Sequence, residues 1–124
     1  MNLLRIGVVA LGGAVGSIAR YLLSTFVLQA SGTLFPLGTF VVNIVGCVVF
    51  GAIAGAAAQR VAINPTTRLF LLTGVLGGFT TFSSYAFESF LLVRDGQMVW
   101  AIVNIGGQVI AGLIGMWVGY VATV

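Results

Sequence analysis

Thr73-Gly74-Val75-Leu76-Gly77-Gly78-Phe79-Thr80-Thr81-Phe82-Ser83-Ser84-Tyr85 lies at the middle of a mainly apolar segment that runs from about 66 to 93. A segment of that length, coiled as a helix, crosses the roughly 30 Å hydrocarbon layer of a bilayer. Its centre is a poor helix. Three glycines fall within five residues, and four hydroxyl side chains follow within the next stretch, interleaved with aromatics. Glycine lowers helix stability by ~1 kcal/mol relative to alanine at each interior position. A helix broken inside a membrane exposes carbonyls and amides, which is tolerated only where they are buried in protein, line a water-filled cavity or bind an ion. The stretch therefore predicts a membrane helix broken near 74–80, and the break is the strongest pointer to function in the chain.

The composition around it agrees. Of 124 residues, 60% are hydrophobic before the 18 glycines are counted, and 6% are charged. An ordinary soluble domain is about 25% charged. Seven charges, namely Arg5, Arg20, Arg60, Arg68, Glu88, Arg94 and Asp95, cannot cover a soluble surface. A soluble globular fold, a disordered chain and a nucleic-acid binder are excluded. The single Cys47 stands in an apolar run and reads as a small buried residue. The first apolar stretch is too long for the core of a signal peptide.

Four spanning helices account for the chain, at about 3–30, 36–58, 66–93 and 97–123. They leave no room for a second domain, and strand alternation is absent, so the expected class is an all-α membrane protein. Pro65 suits the first position of the third helix, with Asn64 as its cap. Glycines recur four apart at Gly12/Gly16, Gly51/Gly55, Gly74/Gly78 and Gly115/Gly119, with Ala111 extending the last ridge. Small residues at this spacing let helices approach closely in lipid, and packing within one subunit explains them. With four crossings, Arg5, Arg60 and Arg68 fall on one side and Arg94 and Arg20 on the other. Three against two is a weak bias under the positive-inside rule, so insertion in both orientations and an antiparallel dimer are expected.

Chemistry must come from polar groups at membrane depth. There is no histidine, no acid pair within one segment and no Cys/His cluster, which argues against an enzyme. Thr39 and Asn43 share one face of the second segment, and Asn104 and Gln108 repeat that spacing in the fourth; each pair reads either as interhelical glue or as pore lining. Near the break, the hydroxyls of Thr81, Ser83 and Ser84 and the positive ring edges of Phe82 and Tyr85 suit a small anion, while freed carbonyls suit a small hard cation. Glu88 reads as a pore-mouth group or a helix-end group, and Arg20 as an electropositive lure in a vestibule or a residue snorkelling to the interface.

Gly12 through Tyr21, Gly38 through Gly46, and Gly74 through Tyr85 followed by Glu88 together resemble the Fluc fluoride-channel family, also called CrcB. The resemblance covers essentially the whole chain, and its Gly-Gly-x-Thr-Thr-Phe-Ser run is highly specific in a four-span protein. It implies a dual-topology antiparallel homodimer in the bacterial plasma membrane, with two pathways through which fluoride leaves the cell passively. Phe82 matches the first of two pore phenylalanines. The second falls on Tyr85, a departure from the usual Phe that keeps the ring edge and adds a hydroxyl. Asn43 matches the pore Asn, Thr39, Ser83 and Ser84 fall on or near the polar track, and Arg20 and Glu88 match charged residues near the pathway. Gly77 and Thr80 match positions whose backbone carbonyls hold a structural Na⁺ at the dimer centre. Assigning Asn104 and Gln108 to the pathway rests on their spacing alone.

Two rivals remain. A proton-coupled exporter of the small multidrug resistance type needs a carboxylate in its first helix, and none is present. A non-transporting subunit that works by helix association explains the glycine ridges but not the broken, hydroxyl-rich stretch.

Overall fold

The computed structural model describes residues 2–59 and 62–124; Arg60, one of the three arginines assigned to one side of the membrane, lies outside them. The described chain is all-helical, with no strand among the described residues. Helix α1 is Leu3–Ser31 and α2 is Leu37–Ala58. Then follow a short α3, Pro65–Arg68, a π-helical segment, Leu69–Leu76, and a single α-turn, α4, Gly77–Phe79. The chain continues into α5, Phe82–Arg94, and α6, Met98–Thr123. Four stretches are long and apolar enough to cross a membrane: Leu3–Ser31, Leu37–Ala58, Pro65–Arg94 and Met98–Thr123.

Local chemistry sets the ends. The Asn2 side chain accepts from the Leu4 amide and opens α1, and Gly32 closes it in the left-handed region at φ 61°, where a side chain would be strained. Asn64 caps α3 by accepting from the Thr66 amide at 2.8 Å, with Pro65 at the first helical position as expected. Gly96, at φ 74°, turns α5 into α6.

Two helix pairs form the bundle, α2 on α6 and α1 on the π-helical segment with α4. Both seams are built by glycine. A Cβ on Gly12 would lie 2.7 Å from the Phe70 carbonyl oxygen and 2.8 Å from Gly74 Cα, and one on Gly16 would run into the Val75 carbonyl. In the other seam, a Cβ on Gly51 would run into the Met116 carbonyl and one on Gly119 into that of Val48. All four glycine pairs therefore pack helices within the chain. In lipid, where no hydrophobic drive holds helices together, such backbone contact supplies the attraction. Large apolar side chains such as Leu22, Phe26, Leu113 and Trp117 stand exposed on the outside. That is the surface a bilayer solvates and water does not.

The interruption of the third span falls at the end of the expected stretch, 74–80, and not at its glycines. Gly74, Gly77 and Gly78 stay helical, with the Gly77 amide reaching back five residues to the Leu72 carbonyl. The extended residues are Thr80 (φ −83°, ψ 157°) and Thr81 (φ −148°, ψ 116°). Gly74 and Gly78 are spent on packing against α1, and the helix opens where the Asn43 side chain of α2 meets its backbone.

Candidate functional site

An extended residue inside a helix bundle has a peptide N–H and C=O that no helix satisfies. At Thr81 a side chain does so. Asn43 Oδ1 accepts from the Thr81 amide at 2.9 Å, and Asn43 Nδ2 donates to the Thr81 carbonyl at 3.1 Å. The side-chain amide thus pairs with the peptide as a neighbouring backbone would. Asn43 Nδ2 also donates to Gln108 Oε1 at 2.8 Å, so both of its hydrogens are engaged. Thr81 Oγ1 accepts from the Ser84 amide at 3.1 Å and restarts the helix as the cap of α5.

Beyond Gln108 the polar contacts continue. Gln108 Nε2 donates to Asn104 Oδ1 (2.9 Å), Asn104 Nδ2 to Ser89 Oγ (2.8 Å), and Ser89 Oγ to the Tyr85 carbonyl (2.8 Å). Asn104 is 0% exposed and Gln108 is 7% exposed. Helical spacing explains the alignment: Asn104 and Gln108 are one turn apart on α6, as are Tyr85 and Ser89 on α5. Ser89 is not among the residues that the sequence singles out. The one signal it carries is its place, a polar residue one turn after Tyr85 on the segment that holds the break.

Other expected residues take separate places. Thr39, one turn before Asn43 on α2, donates to Glu88 Oε1 at 2.9 Å, while Glu88 Oε2 is buried with no partner among the described residues. The Tyr85 hydroxyl donates to the Ile105 carbonyl at 2.7 Å, and its ring lies 5.7 Å from that of Phe82, inclined at 53°. Phe82 is 78% exposed and Ser83 is exposed, while Ser84 is half-buried. The Ser83 hydroxyl lies 3.4 Å from Thr81 Oγ1. Arg20, half-buried on α1, takes no part in the hydrogen bonds of the Asn43 network.

The break also frees carbonyls. In a continuous helix the Thr81 amide would serve the Gly77 carbonyl and the Ser84 amide that of Thr80. Here those amides are engaged by Asn43 Oδ1 and Thr81 Oγ1. Thr80 Oγ1 turns back to the Leu76 carbonyl at 2.9 Å. A cavity of about 370 Å³ opens at this point, lined in part by Asn43, Thr80, Thr81, Tyr85 and Gln108 and elsewhere by apolar side chains such as Phe50, Leu72, Leu76, Phe82, Val109 and Met116. Gly77 reaches it, whereas Ser83, Ser84, Asn104, Thr39, Glu88 and Arg20 do not line it.

The chain matches the family described as CrcB-like protein, Camphor Resistance (CrcB), over residues 7–120. It is 44% identical over 115 residues to the fluoride-specific ion channel FluC of Nitratidesulfovibrio vulgaris, covering 93% of each chain. With the protein of the same name from Methylobacillus flagellatus it shares 48% identity over 113 residues, 90% of this chain and 88% of that one. The corresponding protein of Maridesulfovibrio salexigens is 48% identical over 104 residues, 84% of this chain and 82% of its own. A match of this extent, carried by a four-span helical chain with an interrupted third span, makes the protein a member of the CrcB family.

Proposed function

We propose that the chain is a passive, fluoride-selective channel of the bacterial plasma membrane that lets fluoride leave the cell and so protects against fluoride toxicity. One observation carries the reading: the third span is interrupted at Thr80 and Thr81 beside a cavity that gathers amide, hydroxyl and aromatic groups without a charged side chain. The names of the relatives supply the ion.

Fluoride is small and strongly hydrated, so a pore must replace its water with donors at short range. Around the break, the Ser83 and Ser84 hydroxyls and the ring edges of Phe82 and Tyr85 fill that role, with Thr81 beside them. Helix α5 begins here, and the positive end of its dipole favours an anion. Asn43 and Gln108 line the cavity while holding the broken backbone. Thr39, Glu88 and Arg20 stand along the approach in this reading, while Asn104 serves the pathway from behind, through its bond to Gln108. No arginine is needed at the narrow point, and one that bound fluoride tightly would slow its release.

Residues 1–124 work as one four-helix transmembrane unit, with the interruption at mid-membrane. Two copies inserted in opposite orientations form the channel, with two pathways to which both subunits contribute. The exposure of Phe82 and Ser83 in one subunit supports this, because a partner against that face would enclose them. Arg5 and Arg68 line one recess, while Arg94 pairs with Asp95 at 3.0 Å at the end of α5, a near-balanced distribution that favours neither orientation. The freed Gly77 and Thr80 carbonyls fit a structural Na⁺, being hard oxygen donors without their helical partners. Bound between two subunits, Na⁺ would supply a fixed positive charge that offsets the cost of bringing an anion into low dielectric.

Fluoride efflux from liposomes holding the purified protein tests the reading. Electrogenic, fluoride-selective efflux without a proton gradient is expected. Proton-coupled exchange of an organic cation would instead make the chain an exporter of the small multidrug resistance type, and absence of any flux would make it a non-transporting subunit.

A further inference from the structure

The hydrogen bonds that meet at the break all point one way. The Thr81 amide can only donate, so Asn43 must turn Oδ1 toward it. That leaves Asn43 Nδ2 for the Thr81 carbonyl and for Gln108, which must then present Oε1. Gln108 Nε2 in turn faces Asn104 Oδ1, Asn104 Nδ2 faces Ser89 Oγ, and the serine hydrogen is left for the Tyr85 carbonyl. The relay leaves α5 at its cap, passes through α2 and α6, and returns to α5 one turn later. Reversing Asn43 or Gln108 would set acceptor against acceptor on one side and donor against donor on the other, and reversing Asn104 would set donor against donor at Gln108. In a buried site each such mismatch costs the full desolvation of an unpaired group.

We infer that Gln108, Asn104 and Ser89 are positioning residues: they hold the Asn43 amide in the single orientation that keeps Thr81 extended, and through it they set the width of the passage at the break. Two features single them out from ordinary interhelical glue. Each side-chain nitrogen or hydroxyl from Asn43 to Ser89 donates to the next member or to the α5 backbone, and Asn43 Nδ2 does so with both of its hydrogens. Asn104, its middle member, is fully buried and away from the cavity, so it acts on the passage only through its neighbours.

The inference rests on the channel reading for its flux readout, and hydrogen exchange at the Thr81 amide reads the relay without it. Gln108→Met keeps the side-chain volume and removes both the acceptor for Asn43 and the donor for Asn104. In liposomes, fluoride flux should fall roughly tenfold, the order expected for one buried amide left unpaired. The preference for fluoride over chloride should stay unchanged, and the Thr81 amide should exchange faster with D₂O while those of α1 do not change. Wild-type flux and wild-type Thr81 exchange in Gln108→Met would overturn the inference. So would a lost fluoride preference, which would make Gln108 a ligand of the anion. If Gln108→Met does not assemble, Ser89→Ala and Ser89→Thr carry the test at the far end of the relay. Faster Thr81 exchange in the alanine variant, restored by threonine, is expected; equal exchange in both would overturn it. A wild-type protein without fluoride flux defeats the channel reading alone, because Thr81 exchange still reports the relay.

Discussion

The two halves of the third span are held by opposite means. From Leu69 to Phe79 the chain lies against α1 through the absence of side chains: Gly12, Gly16, Gly74 and Gly78 bring backbone onto backbone. From Thr80 onward it is held through side chains, with Asn43 completing the Thr81 peptide and Gln108, Asn104 and Ser89 backing Asn43. The first device is rigid and tolerates no added atom. The second is directional and leaves room beside it for a cavity. One helix therefore serves as scaffold in its first half and as cavity wall in its second, and the change falls where helical backbone stops.

Substitutions in the two halves should separate these roles, and they rank by their effect on folding. Gly16→Ala should be the most damaging, because its methyl group would run into the Val75 carbonyl, which cannot rotate away. Overpacking typically costs about 1–3 kcal/mol, and a clash with fixed backbone falls at the upper end, so thermal unfolding in detergent should show the largest loss of folded protein in this series. Asn43→Leu should come next. It strips the Thr81 amide and carbonyl of their partners, at a cost of roughly 2 kcal/mol or more, and flux should fall further than stability. Equal stability of Asn43→Leu and wild type would mean that the break needs no clamp.

Tyr85→Phe should be mild. It removes one hydrogen bond to the Ile105 carbonyl, worth about 1 kcal/mol, and keeps the ring against Phe82. Fluoride preference should survive, since the tyrosine hydroxyl is engaged by the protein and not offered to an ion. Phe82→Ile should leave stability nearly untouched, as the ring packs little within one subunit. It should still cut fluoride flux while the dimer, followed by size-exclusion chromatography, remains intact. Unchanged flux would remove Phe82 from the pathway.

How much of this is legible in the sequence depends on the kind of interaction. Spans and glycine seams follow from apolar length and four-residue spacing, which are properties of single helices, and both can be read from the residues alone. The Asn64 cap and Pro65 start are legible for the same reason. The position of the break is not. Glycine content points to 74–80, yet the glycines remain helical, Gly74 and Gly78 packed on α1, and the extended residues are Thr80, at the end of that stretch, and Thr81. Propensity counts what a helix loses and cannot see a partner on another helix that stabilises the alternative. Asn104 and Gln108 admit two readings for the same reason: spacing gives a shared face, whereas their burial between α5 and α2 is a matter of tertiary contact. Ser89 is harder still, because one hydroxyl in an apolar run has no periodic signature.

Passive passage of fluoride at the interrupted third span is the central claim. The most direct measurement is the reversal potential across a planar bilayer holding the purified protein, with a fluoride gradient and an opposing proton gradient imposed together. The expected current reverses at the fluoride equilibrium potential and does not move when the proton gradient is changed. A reversal potential that follows the proton gradient, or no fluoride current at all, would contradict the claim.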